Sequence, residues 1–339
     1  MNIAYYTQLQ KVWRKLSFYI LGFVSYTIPN SLLRWRAQYL LNSLSCDERM
    51  LLEGRVSYYC RLPYGASVPE VAIRVGDYKY PWHSHHKYVT YFFDLYSTIR
   101  CFDKSLQFVR QFGDVNREQA VPTFVKSRPI TDKESMCTLL KLNRVRHFRF
   151  LNSDMPFSHK RNQMVFRNLV FVHQPQRTLF LERFFGHPMV DAGLVNADTD
   201  TGRTEWLRPF MPISEQLKYK FVACIEGNDV ATNLKWVMSS NSIAVMPRPR
   251  FETWFMEGTL KPDYHYIEVA DDYHDLEDRL RYYIDTPEAA ETIVKNAHEY
   301  IRKFQNDRLE RAAQLLTARR YFELTGQIPQ SEVYNIPTI

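Results

Sequence analysis

Apolar positions along the chain recur with two different periods. Residues 9–28 carry them at helical spacing and stop at Pro29, whose ring and missing N–H end a helix. Asn30 or Ser31 suits the cap of a second helix that carries Leu32, Leu33, Trp35, Tyr39 and Leu40. Residues 55–82 are broken by Pro63, Gly65, Pro69 and Gly76 and read as short strands and loops, and a helix is expected over 87–99. From Leu106 the period shortens: Leu106, Phe108 and Phe112 mark a strand that stops at Gly113-Asp114. A polar loop and the apolar run PTFVKSRPI from Pro122 follow.

The second half repeats this style. Strands are expected over 164–172 (MVFRNLVFV), 219–226 (YKFVACIE), 243–246 and 266–269, with helices over 230–239, 272–284 and 309–324. Thr286-Pro287 opens a further helix, with Thr as N-cap and Pro at the first helical position. Strands that alternate with helices and lack tight hairpins predict parallel sheets covered by helices, in two α/β lobes.

Length and composition agree. A chain of 339 residues exceeds one ordinary core, and 45% hydrophobic against 24% charged residues is the balance of a folded globular protein. The net charge of +7 is uneven: residues 1–60 hold seven Lys/Arg against three Asp/Glu, while 261–285 are acidic. A basic front end suits nucleic acid, an anionic membrane surface or a phosphorylated substrate. The run FYILGFV (18–24) is too short to span a bilayer; with Lys11, Arg14, Lys15, Arg34 and Arg36 around it, it fits either a membrane interface or a helix packed on the domain. Five scattered cysteines without zinc spacing read as free thiols of a reducing, cytoplasmic compartment.

Chemistry concentrates after the strand 219–226. Gly227-Asn228-Asp229 leads into Val230, Ala231, Thr232, Asn233 and Lys235, where a helix N-terminus beginning at 230 would hold a pyrophosphate; a well-capped helix without a ligand gives the same pattern. The GxGxxG fingerprint of NAD and FAD sites is absent. Asp114, at a strand end, suits either a general base or a turn residue after Gly113. Arg167 and Arg177 flank an apolar strand, where guanidinium groups can meet phosphate. HSHH (His83, His85, His86) reads as surface histidines rather than a metal site, and Asp198-Thr199-Asp200 as a turn.

The segment 215–269, with IEGNDVATNLKW at its heart, resembles the signature region of glycosyltransferase family 90, which includes bacterial lipopolysaccharide core enzymes, fungal capsule xylosyltransferases and the animal Rumi O-glucosyltransferases. YFFDLYSTIRCF (91–102), FGDV (112–115), VPTFVKSRPI (121–130), RHFRF (146–150) and VFRN (165–168) follow the bacterial branch in order, so the likeness covers 85–305. It implies a GT-B fold, two Rossmann-like lobes with a cleft between them: 1–155 on the acceptor side, 156–305 binding the nucleotide-sugar, and 306–339 a helix and tail returning to the first lobe. It also implies inverting transfer from a UDP-sugar to a lipopolysaccharide core or related envelope glycan, with neither metal nor other cofactor. Asp114 takes the place of the family's base. Val230 to Lys235 match its VAASFR-like donor stretch, with Lys235 where the family has arginine, which keeps the charge and loses the bidentate fork. Arg167 matches its FRGSR-like segment, Arg177 follows an insertion, and Gly227, Asn228 and Glu252 complete the implied donor set. The expected partners are the donor, the glycan acceptor and, peripherally, the cytoplasmic face of an anionic inner membrane, with no nucleic acid. A non-catalytic basic protein would share the charge and aromatics without accounting for the ordered motifs; a pseudoenzyme would have no need of Asp114.

Overall fold

The computed structural model describes residues 3–80, 88–151 and 153–330, with side chains from residue 12 onward; the HSHH cluster lies outside the described residues. The chain divides into two compact units. Unit 1 comprises Met1–Arg14, Arg146–Arg250 and Met256–Lys303, and unit 2 comprises Lys15–Val145, Phe251–Phe255 and Phe304–Ile339. The division falls near 145 rather than 155, and the stretch 251–255 belongs to unit 2 although the sequence places it within the 156–305 lobe.

Unit 2 contains strands β1 (Ile73–Arg74), β2 (Gln107–Gln111), β3 (Thr123–Val125), β4 (Ser127–Pro129), β5 (Cys137–Leu139) and β10 (Phe251–Thr253). β2, β3 and β5 run parallel, β1 adds an antiparallel edge, and β4 pairs antiparallel with β10. The run PTFVKSRPI therefore makes two strands, broken at Lys126. Helices Val89–Ile99 and Asp307–Leu324 pack together in this unit. The Tyr321 hydroxyl at the end of the last helix donates to Pro122 O at 2.9 Å, just before β3.

Helix Cys46–Tyr59 runs five residues into the region expected to be strands and loops. Its start is a capping box: Glu48 N donates to Ser45 Oγ, and Ser45 N donates to the Glu48 carboxylate. That S-x-x-E signal precedes the helix in the sequence. The helix spans Asn30–Asn42 with Pro29 at its N-cap position, which has no side-chain acceptor, while Asn30 Oδ1 accepts from Arg100 Nε at 2.8 Å.

Unit 1 is built on a parallel sheet of β6 (Arg161–Asn168), β7 (Val190–Leu194), β8 (Tyr219–Ala223), β9 (Ile243–Met246) and β11 (Ile267–Glu268), in the order β11-β9-β8-β6-β7. β8 and β9 are buried throughout, the mark of strands covered on both faces. Phe166, Phe221, Val245 and Ile267 from the sheet meet Phe180, Leu280 and Ile293 from helices Pro175–Phe184, Leu276–Asp285 and Pro287–Arg302. The α/β class with parallel sheets is thus as the alternation of elements predicts.

Candidate functional site

The strand order of unit 1 contains a reversal. From β6 the chain moves to β7 on one side, then returns to β8 on the other side of β6 before continuing outward through β9 to β11. The connections after β6 and β8 leave the carboxyl edge in opposite directions, and open parallel sheets bind ligands in the crevice at such a reversal. The segments that flank it are 169–174 and 224–233.

Arg177, in the first turn of helix Pro175–Phe184, reaches into this gap. Its Nη1 donates to Leu169 O at 2.8 Å, after β6, while Nη2 and Nε donate to Ile225 O at 3.0 and 3.2 Å, after β8. One guanidinium therefore clasps both strand ends. Gly227 is the residue that lets it do so, since a Cβ there would lie 2.9 Å from Arg177 Cζ. Asn228 Oδ1 accepts from Gln174 Nε2 at 3.2 Å and lies 2.9 Å from His173 Nε2. Arg177, Gly227 and Asn228 thus come together as a set. His173 and Gln174 join them without having been singled out from the sequence. Their available signal is a polar pair between an apolar strand and a Pro-initiated helix.

The segment 230–235 differs from expectation. The helix begins at Leu234 and ends at Met238, so 230–233 is a turn and no long helix aims its N-terminus at the crevice. Val230 and Ala231 are buried, Thr232 is half-buried, and Asn233 turns its amide inward to donate to Ala223 O at 2.9 Å. Lys235 is fully buried and its ammonium is held by Glu257. An ammonium removed from water needs such a partner, because desolvation alone would cost several kcal/mol. Lys235 supports the segment from within rather than presenting a charge to a ligand.

Arg167 also faces an internal carboxylate. Its Nη2 pairs with Asp191 Oδ1 at 2.5 Å and its Nη1 donates to Asp191 O at 2.8 Å, at the start of β7. The side chain is therefore directed back along the sheet, away from the carboxyl edge. Burial alone would raise the Asp191 pKa, but the Tyr219 hydroxyl and the Arg167 guanidinium outweigh it and hold the carboxyl below its usual range. This is a half-buried structural pair. Glu252 lies in β10, in unit 2, fully buried; it accepts from Arg128 Nε at 2.8 Å and from the Tyr58 hydroxyl. Arg128 in turn donates to Tyr58 O, Tyr59 O and Cys137 O, so Glu252 neutralises a cation that joins a helix to β4 and β5 rather than facing a donor.

Asp114 follows the carboxyl end of β2, beyond Gly113, whose φ of +100° suits glycine. Its side chain is 37% exposed, and Oδ1 accepts from the buried Lys126 Nζ at 2.6 Å. The break between β3 and β4 places Lys126 there. Asp114 is therefore a carboxylate fixed by an internal cation with its outer face accessible, a geometry that suits positioned proton transfer. The Asp198-Thr199-Asp200 segment is a turn, as expected: Asp200 Oδ1 accepts from Val172 N at 2.7 Å and Thr199 Oγ1 donates to Val170 O at 2.9 Å.

A model of glycosyl transferase family 90 matches residues 142–317. The chain is 39% identical over 315 residues to O-glucosyltransferase LpsA of Dichelobacter nodosus, a match covering 92% of this chain and 96% of that protein. Identity of that level over nearly the whole length of both proteins, together with the α/β architecture, shows that the chain belongs to glycosyltransferase family 90.

Proposed function

We propose that the chain is an inverting, metal-independent glycosyltransferase of GT-B type that takes a sugar from a UDP donor. The acceptor is a hydroxyl of a lipopolysaccharide core or related envelope glycan. The observation that carries this reading is the reversal of strand order between β6 and β8, whose ends Arg177 clasps in the space that Gly227 leaves. Unit 1 would hold the donor there, with Arg177, His173, Gln174, Asn228 and the turn 230–233 around the diphosphate. The name of the Dichelobacter relative makes UDP-glucose the first donor to test.

The residues assign themselves simple roles. The acceptor oxygen attacks the anomeric carbon as the carbon–oxygen bond to the diphosphate breaks. Asp114 takes the proton from that oxygen, and UDP leaves with the bonding pair. One displacement inverts the anomeric configuration and needs no enzyme nucleophile. Positive charge near Arg177 favours the charge that develops on the leaving diphosphate. Lys126 holds the Asp114 carboxylate in place. Lys235 and Arg167 act as positioning residues. Free thiols at all five cysteines are compatible with a cytoplasmic site of action.

The test is release of UDP from UDP-glucose, UDP-galactose and UDP-xylose by purified protein, with Asp114→Asn alongside. We expect slow hydrolysis of one donor by the wild type and a loss of about 10²–10⁴-fold in the variant, with UDP affinity retained. Full activity of Asp114→Asn would remove it from the mechanism. Failure to bind UDP at all would overturn the donor assignment.

A further inference from the structure

The helix Ile3–Thr27 and the helix Asn30–Asn42 carry their largest outward side chains as apolar rows. Leu16, Ile20 and Val24 recur every four residues on the first, and Leu32, Trp35 and Tyr39 at helical spacing on the second. These six are between 44% and 68% exposed. Scattered apolar residues on a surface need no explanation, but rows of them do.

Packing holds the outward direction of these rows. The inner face of the first helix sits on helix Val89–Ile99, with the Phe23 and Phe93 rings at 4.9 Å and Tyr26 and Tyr96 at 5.0 Å. Gly22 lies so close to Phe93 that a Cβ would stand 2.9 Å from its ring. At the corner between the two helices Arg100 donates to Ser25 O and to Asn30 Oδ1, each at 2.8 Å, and also to Ile28 O. Ala37 and Leu41 bury the inner side of the second helix. The rows are thus what remains after the internal face is satisfied.

Charge identifies the occupant. The first 46 residues contain five Lys/Arg and no Asp or Glu, the first acid being Asp47. Lys15 and Arg36 are exposed on the same two helices as the apolar rows. No single helix among the described residues is long and apolar enough to cross a membrane, and the two helices bend by 107° at their junction. Apolar rows beside basic residues, with acids excluded, match an anionic lipid surface in which the helices lie flat.

We propose that the outward faces of these two helices form a membrane-docking surface, seated in the interface of an anionic phospholipid bilayer. The assignment rests on this surface alone and is independent of the transfer chemistry. It is tested by flotation of the full chain with vesicles of phosphatidylethanolamine and phosphatidylglycerol, and separately with phosphatidylcholine. We expect flotation with the anionic vesicles, a loss of binding at high salt, and little binding to phosphatidylcholine. The triple variant Leu16→Glu/Ile20→Glu/Val24→Glu should bind at least about tenfold more weakly. Its thermal unfolding and donor hydrolysis in solution should be unchanged. Trp35→Ala/Tyr39→Ala tests the second helix with a milder change. Absence of wild-type flotation would overturn the proposal, as would a folded triple variant that floats equally well. So would a wild-type dimer that the triple variant dissociates without any vesicle binding, which would assign the face to a second copy of the chain.

Discussion

At the scale of single residues, burial decides what each charge can do. Lys235, Arg167 and Glu252 look like ligand contacts when read as isolated charges, yet each meets an internal counter-charge: Glu257, Asp191 and Arg128. Asp94 adds a titration within reach of neutral pH. It is buried on helix Val89–Ile99, accepts from Arg144 N at 2.9 Å, and pairs with Arg144 Nε at 3.0 Å. Burial outweighs Arg144 and lifts its pKa from 3.8 to about 7. The unfolded chain releases this proton near pH 3.8, while the native state keeps it until about pH 7. Asp94 therefore withdraws stability as pH rises through that window. Asp94→Asn, which cannot ionise, should gain stability relative to wild type between pH 4 and 7, measured as the difference in thermal midpoint. A gain that runs the other way would mean that Arg144 keeps Asp94 ionised throughout.

At the scale of elements, the crevice depends on how two strand ends are joined. Arg177 spans Leu169 O and Ile225 O with a planar fork, which lysine cannot reproduce. Arg177→Lys should raise the KM for the donor by about tenfold or more, at a cost to stability of roughly 1–2 kcal/mol for the lost carbonyl bonds. Kinetics and urea denaturation of one preparation separate the two effects. An unchanged KM would confine Arg177 to a structural role. Elements also account for two local departures from a simple pattern. The helix expected from 230 starts at Leu234, with Asn233 at its N-cap position directing its side-chain amide to Ala223 O. The apolar run PTFVKSRPI divides into two strands at Lys126, whose ammonium turns aside to meet Asp114.

At the scale of the whole molecule, unit 2 is assembled from distant stretches of chain. Glu310, on helix Asp307–Leu324, accepts from Arg55 at 2.5 Å, and from Lys141 and Trp254 Nε1 at 2.8 Å each. Tyr59 stacks on Trp254 with ring centroids 3.8 Å apart. Gln327 exchanges hydrogen bonds with the backbone of Gln107 at 2.6 and 2.8 Å. Residues 142–317, the stretch matched by the family model, hold only part of this network. Expressed alone, 142–317 should therefore be insoluble or molten, with exposed apolar surface binding a hydrophobic dye, whereas 1–330 should melt cooperatively. A cooperatively folded 142–317 fragment would show that unit 1 is stable by itself and that helix Asp307–Leu324 needs no partner.

By itself, the sequence determined the α/β class, the parallel character of the sheets, most helices to within a few residues, and the family. These depend on local period and on ordered motifs, both written along the chain. It also marked Asp114, Arg177, Gly227 and Asn228. Tertiary structure decided the rest. Only the order of strands brings His173 and Gln174 opposite Asn228, because the reversal at β6 is a non-local pairing that no window of sequence contains. Only packing directs Arg167 back along the sheet and seals Lys235 and Glu252 against counter-charges, because the cost of desolvating an ion is set by neighbours distant in sequence. Periodicity finds the faces of elements; which charges remain beside a ligand depends on what those faces meet.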